Sequence, residues 1–120
     1  VVGHVIFTRC GIEGMTVDVS LLAPLAVVPA CQRQGVGTAL VQEGLRRLIK
    51  SDAARVYVLG DPVYYGRFGF LPDDEVAPPY PLPPDWRDAW QSLGLRESDA
   101  PPRGQLTVPP SWRDRALWSA

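Results

Sequence analysis

The chain has 120 residues, 46% of them hydrophobic and 21% charged, which is ordinary globular usage and enough for a single core. Its formal net charge of −1, without a long basic block, argues against nucleic acid as the main partner, because holding a phosphate backbone needs a concentrated basic face. No apolar run is long enough to span a bilayer, and Val1 to Thr8 carries neither a basic leader nor a small-residue cleavage site, so a cytoplasmic setting with no membrane partner is expected.

In chain order, Val1 to Thr8 reads as an apolar strand, Gly11 to Gly14 as a hairpin turn, and Asp18 to Val28 as the neighbouring strand. Pro24 interrupts that second strand, which suits a bulge or an edge rather than a central position. Leu25, Ala26, Val27 and Val28 continue it as a buried stretch, and Pro29 ends it by removing a ladder donor. After a turn through Gln32, Arg33, Gln34 and Gly35, a helical pattern covers Thr38 to Lys50. There Val36, Leu40, Val41, Leu45, Leu48 and Ile49 fall near one inward face.

This strand, turn and helix are the most informative stretch. The first N–H groups of a helix have no internal partners, and the macrodipole adds partial positive charge at the same place. Gly35 and Gly37 let the backbone approach an anion closely, and Arg33 adds a full charge. Such a turn is suited to a phosphate. Glycines between a strand and a helix also serve as a plain tight connection, and two familiar nucleotide motifs fail: Leu40 stands where G-x-G-x-x-G needs its third glycine, and no G-K-[ST] follows.

Arg55 to Leu59 reads as a third strand, parallel to the second if the helix is a crossover, giving a β-α-β unit around the turn. Gly60-Asp61-Pro62 makes a short turn into Tyr64-Tyr65-Gly66-Arg67-Phe68-Gly69-Phe70. From Leu71 to Pro110 the composition changes, and all of the thirteen prolines except Pro24, Pro29 and Pro62 lie there. Asp85 to Leu93 reads as a short helix with Trp86, Ala89, Trp90 and Leu93 on one face, and Gln105 to Val108 as a last strand. Trp86, Trp90, Trp112 and Trp118 are expected to pack an irregular tail onto the core rather than to line a substrate pocket. Cys10 and Cys31 suggest neither a disulfide framework nor a metal site. Cys31 is a weak candidate nucleophile, since His4 is the sole histidine that could act as its base.

The run Gln32-Arg33-Gln34-Gly35-Val36-Gly37 resembles the Q/R-x-x-G-x-G/A signature of the GNAT superfamily of N-acetyltransferases, with the apolar strand and proline placed as in that family. Tyr64-Tyr65 through Gly69-Phe70 resembles its second landmark, an aromatic-Tyr-x-x-x-Gly-Phe segment. Gly3 to Phe70 as a whole is similar to the bacterial YhbS-like branch. The resemblance implies an α/β, GNAT-like acyl-CoA N-acyltransferase fold: three-layer, built on a mixed α+β sheet, and N-terminally incomplete. The family's usual opening strand and helical pair are lacking, which would leave a sheet edge prone to associate, as in a homodimer. Residues 1–120 then form one domain, with 1–70 as CoA-binding core and 71–120 as a Pro/Trp-rich C-terminal part.

Carried over by position, the resemblance implies acetyl transfer from acetyl-CoA, as cosubstrate and without a metal, to a small amine or a protein amine. The N–H groups of Arg33, Gln34, Gly35, Val36, Gly37 and Thr38 would cradle the pyrophosphate behind Gln32, and the main chain of Leu25, Ala26 and Val27 would pair with the pantetheine arm. The Val27 N–H would polarise the thioester carbonyl, and Tyr65, rather than Tyr64, would protonate the departing thiolate. His4, Glu13, Asp18 and Asp61 are all candidates for the base. Asp61 replaces the asparagine of many relatives. A non-catalytic acyl-CoA-binding module, or a truncated inactive enzyme, is the alternative reading.

Overall fold

The computed structural model describes residues 3–4, 7–15, 18–22, 26–27, 36–51, 53–80, 82–95 and 102–108. Phe7–Ile12 (β2) and Val19–Leu22 (β3) form an antiparallel hairpin in the register Phe7↔Leu22 to Cys10↔Val19. The turn is at Glu13 and Gly14, and Gly14 takes φ 80°, a conformation that costs glycine little. Gly3–His4 (β1) pairs with Ala26–Val27 (β4), so each of the two expected N-terminal strands is present as two pieces, and the first runs on to Ile12. All four residues of β3 are buried, as expected of a strand covered on both faces.

Val36–Ile49 (α1) crosses over to Arg55–Leu59 (β5), which pairs parallel with β3 from Val19↔Arg55 to Leu21↔Tyr57. Val41 and Leu45 of α1 are buried, Leu40 and Leu48 are half-buried, and Ile49 is the exception to the expected face, exposed at the last helical position. Pro62–Gly66 (α2) follows. Asp61 caps it by accepting a 2.9 Å hydrogen bond from the Val63 N–H, and Pro62 occupies a first-turn position where a missing N–H costs nothing.

The segment after Phe70 supplies Leu71–Pro72 (β6), Val76–Ala77 (β7), a 3-10 helix at Pro84–Ala89, Trp90–Gly94 (β8) and Gly104–Thr107 (β9). The helix expected over Asp85 to Leu93 is thus corrected: it stops at Ala89, and Trp90 onward is strand. β5 offers a free row of backbone groups, and β8 pairs along all of it, from Arg55↔Gly94 to Leu59↔Trp90. Trp90 and Leu93, expected on one helical face, therefore point to opposite faces of a sheet. At the other flank β9 pairs with β2 at Gly11↔Thr107 and Ile12↔Leu106, so part of the edge expected to be unpaired is covered by the C-terminal segment.

The main sheet has the order β6-β8-β5-β3-β2-β9-β7. Its two outermost strands, β6 and β7, are separated in sequence by residues 73–75, so the sheet must curl until its edges meet. Asp73 closes the seam. Its N–H donates to the Trp90 carbonyl at 2.9 Å, and its carboxylate accepts from the Glu75 N–H (2.8 Å), the Val76 N–H (3.0 Å) and the Ser92 hydroxyl (2.6 Å). Arg55 Nε donates in turn to Ser92 Oγ at 3.1 Å, and the Trp90 indole N–H reaches the Val76 carbonyl at 2.8 Å.

The curl creates two cores. On the convex face Val41 and Leu45 of α1, Tyr65 of α2 and Phe70 beyond it pack with Leu22, Val56 and Val58. On the concave face Ile12, Val19, Leu21, Tyr57, Val76, Trp90, Leu106 and Val108 pack together, with Tyr80 and Leu82 closing over them as a third layer. Each fully buried large side chain contributes on the order of 1.5–3 kcal/mol by removal from water. Trp90 fulfils the expected packing role; Trp112 and Trp118 lie outside the described residues. Among the described residues no helix is long and apolar enough to cross a membrane.

Candidate active site

β3 and β5 stay paired only as far as Leu21↔Tyr57. Beyond that point Val58 and Leu59 continue β5 toward β8, whereas the chain of β3 resumes as β4, which pairs with β1 on its far side. Among the described residues, two parallel strands therefore diverge and leave facing edges without ladder partners. Such an edge is a template for an extended ligand, which gains main-chain hydrogen bonds from it. Ala26 and Val27 form the described part of that edge on the β4 side; Leu25 lies outside the described residues.

α1 lies against β1 and β4, the two strands beside this opening. It begins at Val36, two residues before the sequence pattern suggests, which leaves the N–H groups of Val36, Gly37, Thr38 and Ala39 without partners inside the helix. Gly37 and Thr38 are half-buried. Three of the expected cradle donors are thus at a positive helix end. Gln32, Arg33, Gln34 and Gly35 lie outside the described residues, as does Cys31.

Tyr65 occupies the convex core at the end of β5, on the face that α1 also covers. Gly60 makes room for it: a Cβ at Gly60 would stand 2.4 Å from Tyr65 Cε2. The ring meets Tyr64 edge-on at 5.0 Å and Phe70 at 5.8 Å. Burial pushes its phenol pKa up, with a smaller push from Tyr64, so the hydroxyl keeps its proton at neutral pH and remains a donor. Tyr64 plays the bracing part: its ring packs edge-on to Phe68 at 5.6 Å and carries the Arg67 guanidinium at 5.4 Å.

One residue that the sequence did not single out supports this corner. Gln91 is fully buried on β8, and its Nε2 donates to the carbonyls of Gly60 (3.1 Å) and Ala89 (3.3 Å), pinning the end of β5 on which Tyr65 rests. Its Oε1 is buried without a partner, a state that ordinarily costs about 1–3 kcal/mol. In the sequence it stands between Trp90 and Ser92, and no local pattern marks it.

The base candidates separate by position. The backbone of His4 stands in β1 opposite Ala26, beside the opening. Glu13 and Asp18 lie at the other end of the strands: Val19, next to Asp18, pairs with Arg55, and β5 rises about 13 Å from there to Leu59 at about 3.3 Å per residue. The Asp61 carboxylate is engaged as the cap of α2. Cys10 is a free thiol in the concave core, and burial pushes its pKa up to about 11, which holds it inert at neutral pH. Among the described residues no group of three or more His, Cys, Asp or Glu could hold a metal ion.

A model of the acetyltransferase (GNAT) family matches residues 1–70. Among curated proteins, the uncharacterized N-acetyltransferase YjhQ of Escherichia coli K12 is 38% identical over 99 residues, covering 78% of this chain and 55% of its own length. The uncharacterized N-acetyltransferase YhbS of the same strain is 41% identical over 70 residues, or 58% of this chain and 42% of that protein. The chain thus spans about half the length of the curated relatives it matches. Among solved structures, Escherichia coli YhbS in complex with CoA superposes with a TM-score of 0.78 at 31% identity, over 91% of this chain and 61% of that one. A GNAT family acetyltransferase from Brucella melitensis in complex with acetyl-CoA gives 0.70 at 29% identity, over 92% and 60%. The strand that diverges in front of a helix start, the tyrosine beside it and these likenesses agree: the chain belongs to the GNAT acetyltransferase family.

Proposed function

We propose that this protein is an acetyl-CoA-dependent N-acetyltransferase that moves the acetyl group directly to a primary amine in a ternary complex. The observation that carries the reading is the parting of β4 from β5 in front of the α1 N-terminus, because it puts a free strand edge and a cluster of unpaired N–H groups at one opening. Relatives solved with CoA or acetyl-CoA support it.

In this reading the thioester supplies an activated acetyl carbon and a leaving sulfur. The N–H groups of Arg33 to Thr38 hold the pyrophosphate, with Gln32 at the entry to the turn, and the backbone of Leu25 to Val27 pairs with the pantetheine arm. The Val27 N–H donates to the carbonyl oxygen, where negative charge grows as the amine nitrogen bonds to carbon. The C–S bond breaks, and the thiolate takes the Tyr65 phenol proton; the amine gives up a proton to a base or to solvent, and the phenolate regains one from the same source, which restores Tyr65. The chain acts as one domain, in the cytoplasm.

The depth of Tyr65, 8% exposed, favours a second reading in which that ring only packs and the protein binds acyl-CoA without turning it over. Thermal-shift titration with acetyl-CoA tests the common part. At a hundredfold excess over Kd the ligand stabilises by about 2.7 kcal/mol, roughly 10 °C for a domain of this size. Gly35→Glu, which places a side chain and a negative charge at the pyrophosphate, removes that shift. No shift at millimolar acetyl-CoA refutes both readings, and binding without acetylation of any amine supplied leaves the second.

A further inference from the structure

Besides the opening between β4 and β5, a cleft of about 570 Å³ lies on the concave side between Asp73, Trp90 and Gln105. Its inner wall, Trp90, is only 2% exposed and is stacked on Tyr57 with ring centroids 5.6 Å apart, so it has little surface to give a ligand. A groove of about 440 Å³ on the convex side is different. One wall is a stripe along α1 and the residue after it: Gln42, Leu45, Arg46, Ile49 and Lys50 stand at intervals of three, one, three and one, on a single helical face. The other wall is Arg67 and Phe68, in the turn that follows α2.

The floor is apolar, with Leu45 buried and Phe68 half-buried, and Ile49 stands at the lip 53% exposed. Three cations and no carboxylate line the groove. Glu43, on the neighbouring helical face, is shared between Arg46 and Arg47, and among the described residues Lys50 and Arg67 have no ion-pair partner. Cations at the end of a helix offset its macrodipole, which accounts for Arg46 and Lys50. It does not account for Arg67, which comes from another element, nor for the bare Ile49. The Arg67 guanidinium lies over the Tyr64 ring at 5.4 Å, so it is held in place before anything binds and loses less freedom on binding.

Gln42 and Ile49 stand six and thirteen residues beyond Val36, about 9 and 20 Å along the helix at 1.5 Å per residue, so the groove is set apart from the anion site at the helix start. A small ligand needs a site that encloses most of its surface. Here Gln42, Arg46, Ile49, Lys50 and Arg67 are all exposed, and such a groove suits a chain laid across it. A nucleic-acid backbone would use the cations and leave the apolar floor idle; an acidic peptide with an apolar anchor uses both.

We propose that this groove docks an acidic segment of a partner protein, with one aromatic or aliphatic side chain seated between Ile49 and Phe68 and its carboxylates on Arg46, Lys50 and Arg67. The proposal is independent of the acetyl-transfer reading. Fluorescence anisotropy of a labelled hexapeptide, Asp-Glu-Phe-Leu-Glu-Asp, with the full chain reads the affinity beside its uncharged counterpart, Asn-Gln-Phe-Leu-Gln-Asn, and amide NMR shifts locate it. The acidic peptide is expected to bind about tenfold more tightly or better, with shifts centred on Ile49 and Phe68. Arg67→Glu is expected to raise its Kd about tenfold or more, whereas Arg87→Glu, an equal change of net charge at an exposed position elsewhere, leaves it unchanged. Ile49→Ser is expected to raise it about three- to tenfold, which separates a seated anchor from diffuse attraction between charges. Millimolar acetyl-CoA is expected not to displace the peptide. Equal binding of the two peptides, shifts centred elsewhere, an Ile49→Ser variant that binds like wild type, equal losses in Arg67→Glu and Arg87→Glu, or displacement by acetyl-CoA would each overturn the proposal. So would tighter binding of a DNA hexanucleotide or of phosphatidylglycerol vesicles than of the acidic peptide.

Discussion

Gly60→Ala is a one-atom probe of how Tyr65 is held. Gly60 has no left-handed backbone angle, so alanine fits its backbone and the effect comes from the added methyl alone. That methyl would lie 2.4 Å from Tyr65 Cε2 and 3.0 Å from Cδ2. Carbon atoms pack at about 3.5 Å or more, so the ring edge has to retreat by about 1 Å. Phe70 and Tyr64 already brace the ring, and Gln91 pins the Gly60 carbonyl, so neither side yields easily. Overpacking of this kind costs about 1–3 kcal/mol, and an acid misplaced by about 1 Å loses on the order of a hundredfold in rate. Urea unfolding is expected to show the first and acetyl-transfer kinetics the second, as a fall in kcat with acetyl-CoA affinity retained. Wild-type stability together with a wild-type kcat would refute the claim that the Gly60 surface positions this ring.

Tyr65→Phe keeps the packing and removes the proton donor; turnover is expected to fall about 10²-fold with acetyl-CoA affinity nearly unchanged, by steady-state kinetics beside equilibrium titration. Asp73→Ala strips three hydrogen bonds from the seam, two of them to backbone N–H groups, and is expected to lower unfolding free energy by about 2–4 kcal/mol in urea. Stability is expected to fall at alkaline pH. The Cys10 thiol has an ordinary value of 9.0 raised to about 11, so the folded state holds its proton where the unfolded chain releases it. Its contribution is full below pH 9 and drops by roughly 2–3 kcal/mol as pH rises to 11. Tyr57 and Tyr65, also raised by burial, add to the loss above pH 10. Cys10→Ala should remove the part of the slope that starts near pH 9, in denaturation midpoints measured across that range.

α1 and β5 were legible because their patterns are local: Val41 and Leu45 repeat at helical spacing, and Arg55 to Leu59 is an apolar run between breakers. On the candidate donor side, the strand piece at Ala26–Val27 and the helix start at Val36 were legible for the same reason; the glycine-bearing turn between them lies outside the described residues. β8 was not. Trp86, Ala89, Trp90 and Leu93 stand at intervals of three, one and three, which a helix satisfies, and only the open edge of β5, distant in sequence, decides in favour of strand. The cleft was hidden for the same reason. Its parts, from Asp73 to Trp90 and Gln105, are gathered by the curl of the sheet, and no local pattern encodes the meeting of its two edges.

The strand order also sets a timetable. β2 is residues 7–12, yet its outer neighbour β9 ends at Thr107, and β5 waits for residues 90–94 before both its edges are occupied. A chain leaving the ribosome can close the β2–β3 hairpin once Leu22 is out, but β2 and β5 keep open rows of donors and acceptors until residues 90–107 follow. Pairing across such sequence distances is slow, in the range of milliseconds to seconds, and open edges invite neighbouring chains. The proline-rich segment therefore supplies the strands that close these two edges against neighbouring chains, and refolding yield should fall as protein concentration rises.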